Sequence, residues 1–62
     1  MNYICVRTYG NGKYINKVYN LWFEYLSQAE RMCETLNQMD VEYNTDKWIP
    51  MLMNKYIGKV LE

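Results

Sequence analysis

The sequence contains no histidine and a single serine, Ser27. Histidine is the most frequent general acid or base in enzymes and a common metal ligand, and serine is a frequent nucleophile. No two acids have a recognisable catalytic spacing, and a chain of 62 residues is too short to enclose a large pocket. We therefore expect no enzymatic activity, no metal and no other cofactor.

Cysteine occurs twice, at Cys5 and Cys33, and no long apolar segment is present. Two isolated cysteines without histidine cannot supply a familiar zinc site. No stretch has the length of a membrane span, and the N-terminus lacks the basic and apolar regions of a secretory signal. We expect a cytoplasmic protein without membrane contacts, in which both cysteines are free thiols in the core.

The chain is neutral overall, but its charges are grouped. Residues 1–23 contain three basic residues and no acid, residues 24–46 contain six acids and one arginine, and residues 47–62 contain three lysines and one acid. A chain of this length forms one small domain, 1–62, and buries about 60% of the surface that its unfolded form exposes. The thin core, with the large apolar side chains of residues 48–61, predicts a homodimer.

Residues 2–9 and residues 14–19 predict the two strands of an antiparallel β-hairpin. Both stretches are rich in β-branched and aromatic residues. Asn11-Gly12 between them is the strongest short-range turn signal, because both positions of such a turn need positive φ. The glycine-rich stretch is not a phosphate loop, since an aromatic residue stands where serine or threonine should follow the lysine.

Two hairpin registers agree with the sequence. A two-residue turn pairs Tyr9 with Tyr14 and places Ile15 on the face that carries Val6. A three-residue loop places Val18 on that face instead. The choice matters because a shift of one residue moves every side chain of a strand to the opposite face.

An amphipathic helix is predicted after the aromatic stretch 21–26. We interpret this stretch as the end of the second strand and the corner into the helix, and we expect its large side chains to form the main core cluster. Ser27 and Glu30 have the capping-box spacing, with the helix ending at residues 37–40. The apolar stripe of the helix, with a 3.6-residue period, consists of Ala29, Met32, Cys33, Leu36 and Met39.

The last third of the chain is more ambiguous. Residues 41–43 and 47–49 have strand character on either side of a turn signal. Beyond Pro50 the apolar residues recur at helical spacing, which predicts a C-terminal helix at 50–61, with an extended strand as the alternative. The expected fold is α+β: an antiparallel hairpin extended by a third strand, with one amphipathic helix packed on it.

The outer face of the predicted helix is the first candidate binding site. It consists of Glu30, Arg31, Glu34 and Gln38. Glu30 and Glu34 lie four residues apart and repel each other, so stabilising pairs within the helix do not explain this face. We predict that it binds a host protein with a basic surface, because opposite charges steer association.

The predicted hairpin is the alternative site, for nucleic acid. It carries Arg7, Tyr9, Lys13, Tyr14 and Lys17. Positive charge mixed with aromatic rings is typical of proteins that bind single strands. The neutral chain with its acidic middle favours a protein partner. An oligomer that sequesters a nucleotide between subunits is a third hypothesis.

The hairpin around GNGKYI, the aromatic corner and the helix LSQAERMCETLN together resemble small ββα accessory proteins of phages and other mobile elements of bacteria. The resemblance covers residues 2–38. It implies a non-enzymatic inhibitor that binds and occludes a host macromolecule, of the anti-CRISPR or another anti-defence type. It assigns no role to any individual residue of this chain.

Overall fold

The computed structural model describes residues 2–10, 12–39 and 46–60. The elements in chain order are β1 (Tyr3–Tyr9), β2 (Tyr14–Phe23), α1 (Leu26–Met39), β3 (Lys47–Leu52) and α2 (Met53–Val60). The strands form one antiparallel sheet in the order β2-β1-β3. The predicted α+β class, hairpin, third strand and short C-terminal helix are confirmed, while the strand considered at 41–43 lies outside the described residues.

The hairpin combines features of both predicted registers. Tyr9 pairs with Tyr14, as the two-residue turn requires. A β-bulge then adds one residue to β2, which brings Val18 opposite Val6. Ile15 and Val18 therefore pack on the same side of the sheet, although each register had assigned one of them to the other side.

The side chains of β1 alternate between two apolar layers, one on each side of the sheet. The layer under α1 consists of buried Cys5, Ala29, Cys33 and Trp48, with Tyr3, Tyr19, Phe23, Met32 and Leu36 packed against them. The layer beside α2 consists of buried Ile4, Val6 and Met51, with Ile15, Val18, Ile49, Met53 and Tyr56 packed against them. Both cysteines are free and buried, as predicted.

Helix α1 begins earlier than the capping box predicts. The backbone carbonyl of Tyr25 accepts hydrogen bonds from the N–H groups of Gln28 at 3.1 Å and Ala29 at 3.3 Å. Tyr25 is therefore the N-cap residue, and Ser27 lies inside the first turn. The predicted Ser27 cap is wrong, because β2 ends at Phe23 and the chain turns into the helix within two residues.

Strand β3 continues through Pro50, where the sequence had indicated the start of a helix. Pro50 lies opposite Cys5 in an edge strand, a position where the missing N–H removes no bond from the ladder. Helix α2 starts at Met53, whose backbone N–H donates to the Asn2 carbonyl at 2.9 Å. Among the described residues, no helix has the length and apolar character needed to cross a bilayer.

Candidate protein-binding site

The acidic face of α1 lies on the exposed side of the helix, as the sequence predicted. Its four residues, Glu30, Arg31, Glu34 and Gln38, are all exposed. The opposite side of the helix holds Ala29 and Cys33, which pack onto the sheet. The 3.6-residue period of the apolar stripe thus determines which side chains α1 presents outward.

No ion pair compensates the acids of this face within the described part of the chain. Neither Glu30 nor Glu34 contacts a basic group there, and neither lies in the first turn, where the helix dipole favours acids. One helical turn separates the two carboxylates, so they repel each other by a few tenths of a kcal/mol, on the order of the i,i+4 effect. The two carboxylates therefore gain no ion pair among the described residues, and the face produces a negative potential directed at solvent.

A group of large apolar side chains lies exposed between β2 and α1, and we call it the aromatic corner. It consists of Leu21, Trp22, Tyr25 and Leu26, whose exposed fractions are 53, 60, 61 and 44%. The sequence had predicted the stretch 21–26 as the main core cluster, and this is correct only for Phe23, which packs under α1. For the other large side chains of the stretch the prediction is wrong, because they are exposed.

The position of β2 at the edge of the sheet explains this exposure. Trp22 lies opposite Ile4, on the side of the sheet that faces away from α1. Helix α2 covers that side with Met53 and Tyr56, but it follows β3 at the other edge. A second irregularity in β2, between the pairs of Ile4 and Val6, displaces the strand just before the corner.

The aromatic corner adjoins the acidic face through Leu26. Leu26 is the first residue of α1, and Glu30 and Glu34 follow it at intervals of four along one side of the helix. Glu24, also exposed, lies within the corner itself. An apolar centre beside a charged rim is the usual composition of a protein–protein interface.

The structure separates the residues of the alternative, nucleic-acid site. Arg7 is buried, with 9% of its surface exposed. Its Nε donates to Oδ1 of Asn16 at 3.1 Å and lies 3.7 Å from Oδ2 of Asp46. The expectation that Arg7 is available to a nucleic acid is therefore corrected, since its guanidinium connects β1 to β2 and to the start of β3.

The other hairpin residues remain at the surface, and three of them meet at the tip. The rings of Tyr9 and Tyr14 stack, with centroids 5.1 Å apart and an angle of 28° between their planes. Nζ of Lys13 lies 5.5 Å from the centroid of Tyr14. A nucleobase would compete with both neighbours for the Tyr14 ring, while Lys17 lies further along β2, opposite Arg7.

Two open surface grooves also lie among the described residues. One, of about 480 Å³, lies between β2 and the end of α1, with Lys17, Tyr19 and Met39 in its lining. The other, of about 490 Å³, is lined by Asn2, Leu52, Met53 and Asn54. The described residues contain no group of three or more potential metal ligands, and neither lining pairs an acid with a base.

The thiols are unsuited to chemistry in this fold. Burial raises the pKa of Cys5, whose Sγ–H donates to the Ala29 carbonyl at 3.3 Å. Burial, followed by the effects of Cys5 and of the Glu30 charge, raises the pKa of Cys33 as well. Both groups therefore remain protonated at neutral pH, a form that is a poor nucleophile and a poor metal ligand.

Comparison with known protein families, with curated proteins and with solved structures finds no match for this chain.

Proposed function

We propose that this protein is a non-enzymatic inhibitor that binds a host protein and occludes it, with the acidic face of α1 as its contact surface. The observation that carries the proposal is the pair Glu30 and Glu34, exposed and without an ion pair among the described residues. A partner with lysine or arginine in this region would remove their mutual repulsion. It would also be drawn to the site over a distance of about one Debye length.

The inhibitory role has a separate basis in the layout of the chain. The order strand, strand, helix over residues 3–39 agrees with that of the small ββα accessory proteins that the sequence resembles. Occlusion needs a surface of suitable charge and shape and no reacting group. An anti-defence factor of a phage, such as an anti-CRISPR protein, is the type of inhibitor we propose.

Capture from a bacterial lysate tests the binding surface. The immobilised protein is compared with Glu34→Lys, which reverses one charge of the acidic face, and with Lys17→Glu, a charge reversal on β2. Lysates are treated with nuclease, and captured proteins are quantified by mass spectrometry. We expect a host protein that wild type and Lys17→Glu retain and Glu34→Lys loses; equal capture by all three baits would contradict the proposal.

A phage challenge tests the inhibition. The protein is expressed in bacteria whose CRISPR–Cas system restricts a phage, with the empty vector and Glu34→Lys as controls. We expect wild type to restore plaque formation and the variant to restore it poorly. Restoration by neither protein in several defence systems would argue against an anti-defence role, whatever the lysate experiment shows.

Binding of single-stranded nucleic acid is the second candidate function, because the hairpin tip brings Tyr9, Lys13 and Tyr14 together. With Arg7 buried, Lys13 and Lys17 are the described cations of the hairpin that can reach phosphate. Two such contacts predict a shallow dependence on salt, with a log–log slope of about −1.4. Fluorescence anisotropy of a labelled single strand at two salt concentrations measures it, and a much steeper slope would require a different surface.

A further inference from the structure

We propose that the aromatic corner anchors the partner by binding an apolar segment flanked by lysine or arginine. This inference rests on the proposed function and identifies the chemistry of the partner's contact. The acidic face accounts for attraction at a distance, whereas the corner supplies the close contact that determines how long the complex lasts.

The corner exposes a large amount of aromatic surface. Trp22 and Tyr25 each expose about three fifths of their surface, at 60 and 61%, and they lie three residues apart in the chain. Tryptophan and tyrosine are the residues most enriched at the energetic centres of interfaces, because they bury a large area at a small cost in side-chain entropy. Leu21 and Leu26, the neighbours of this pair in the chain, expose 53 and 44% of their surface.

The segment of chain that contains the corner is acidic. Residues 18–30 contain Glu24 and Glu30 and no basic residue. A second copy of this chain docked corner to corner would bring acidic residues of like charge together, which is unfavourable. A segment with lysine or arginine beside its apolar residues complements the corner in both respects, so we infer that kind of partner.

A partner could instead add a strand to β2, the edge of the sheet that carries the corner. Two irregularities interrupt the ladder of β2, and exposed Lys17 lies between them. Bulges and lysines are devices by which edge strands avoid pairing with another chain. The corner therefore engages its partner through side chains.

Trp22 provides the measurement. The chain has two tryptophans, and Trp48 is 4% exposed while Trp22 is 60% exposed. A partner that covers the corner should shift the emission of Trp22 to shorter wavelength and protect it from quenching by acrylamide. The probe is a short amphipathic helical peptide of leucine and lysine, and the matched control is the same peptide with glutamate in place of lysine.

We expect the lysine peptide to shift and protect Trp22 and the glutamate peptide to have no effect. Tyr25→Ala should weaken binding about tenfold, the effect of losing one interface anchor. This variant should still fold, because Tyr25 caps α1 through its backbone carbonyl and its side chain is exposed. Circular dichroism checks the fold, and Thr35→Ala, on the exposed surface of α1 away from the corner, is the matched control.

The outcomes separate the two proposals. If Glu34→Lys binds the lysine peptide more weakly and Tyr25→Ala binds it normally, the corner is not the anchor. The proposal for the acidic face would then remain. Equal binding of both peptides would show that the corner does not select for positive charge. If the Trp22 emission shifts to shorter wavelength as the protein concentration rises without peptide, a second copy of the chain is the occupant. If neither peptide binds at millimolar concentration, the proposal that the corner anchors the partner is wrong. The lysate and phage experiments test the proposed function independently of this result.

Discussion

The side chain of Asn37 binds both backbone polar groups of Trp48. Nδ2 of Asn37 donates to the Trp48 carbonyl at 3.1 Å, and the Trp48 N–H donates to Oδ1 at 2.7 Å. The side-chain amide of Asn37, near the end of α1, thus supplies the hydrogen bonds that a neighbouring strand would otherwise make to this residue of β3. Pro50, two residues further on, has no N–H to offer, so this edge of the sheet is protected against pairing with another chain.

Replacing Asn37 should therefore destabilise the protein more than its partly exposed position suggests. Asn37→Ala leaves the N–H and carbonyl of Trp48 without these partners, at a cost of about 1–3 kcal/mol in the free energy of unfolding. Gln38→Ala is the matched control and should change it by less than about 0.5 kcal/mol, because Gln38 is exposed. Urea unfolding measures both, and equal stabilities would mean that water replaces the amide at no cost.

Local signals predicted the elements that depend on a few neighbouring residues. Asn11-Gly12 indicated the turn, and the stripe from Ala29 to Leu36 indicated α1 and its outer face. Met39, predicted as the last residue of that stripe, is 76% exposed. Contacts between distant parts of the chain carried no such signal. Arg7 meets Asp46 across 39 positions, and nothing near Arg7 in the sequence indicates that a carboxylate will be supplied there.

The aromatic corner also shows that local sequence signals do not determine tertiary contacts. The composition of residues 21–26 indicates burial, and Phe23 is indeed in the core. The exposure of Trp22 depends on where α2 lies relative to β2, which is a matter of tertiary arrangement. No local pattern within six residues contains that information.

Ser27 provides a direct test of where α1 begins. Ser27 lies inside the first turn, and the Tyr25 carbonyl accepts the first hydrogen bonds of the helix. Ser27→Ala should change the melting temperature little or raise it slightly, because alanine has the higher helix propensity. A loss of about 0.5–2 kcal/mol would instead indicate an N-cap role for Ser27 and a later helix start.

The pair Arg7 and Asp46 should contribute to stability in a way that exposed charges do not. Their side chains are 11 and 10% exposed, and Asn16 hydrogen-bonds to both, donating to Asp46 Oδ2 at 3.2 Å. Asp46→Ala should cost about 1–3 kcal/mol, because it leaves a largely buried guanidinium with fewer partners. Glu24→Ala, at an exposed acid, is the control and should stay within about 0.5 kcal/mol.

The buried thiols predict a loss of stability at alkaline pH. The folded state holds the pKa of Cys5 and Cys33 above the ordinary value of 9.0. The unfolded chain releases these protons first, so stability is fully present below about pH 8.5 and falls as the pH rises further. The slope for each thiol is at most about 1.4 kcal/mol per pH unit.

Cys33→Ala isolates the contribution of one thiol. We expect the variant to be less stable at neutral pH and to lose stability less steeply above pH 9, as measured by urea unfolding at several pH values. In the native wild type, both thiols should react slowly with a thiol reagent, and urea should accelerate the reaction. Identical slopes for variant and wild type would show that Cys33 titrates normally in the folded state.

The structure restricts how the predicted homodimer can form. The β3 edge is closed by Asn37 and Pro50, so we expect association through α2, where Ile57 is 46% exposed. Light scattering at high protein concentration should give a dimer mass. Ile57→Glu should give a monomer that keeps its circular dichroism spectrum, because Ile57 is exposed within one chain, while Tyr25→Ala should remain dimeric. A monomeric wild type would rule the homodimer out, and a dimer unaffected by Ile57→Glu would place its interface elsewhere on the surface.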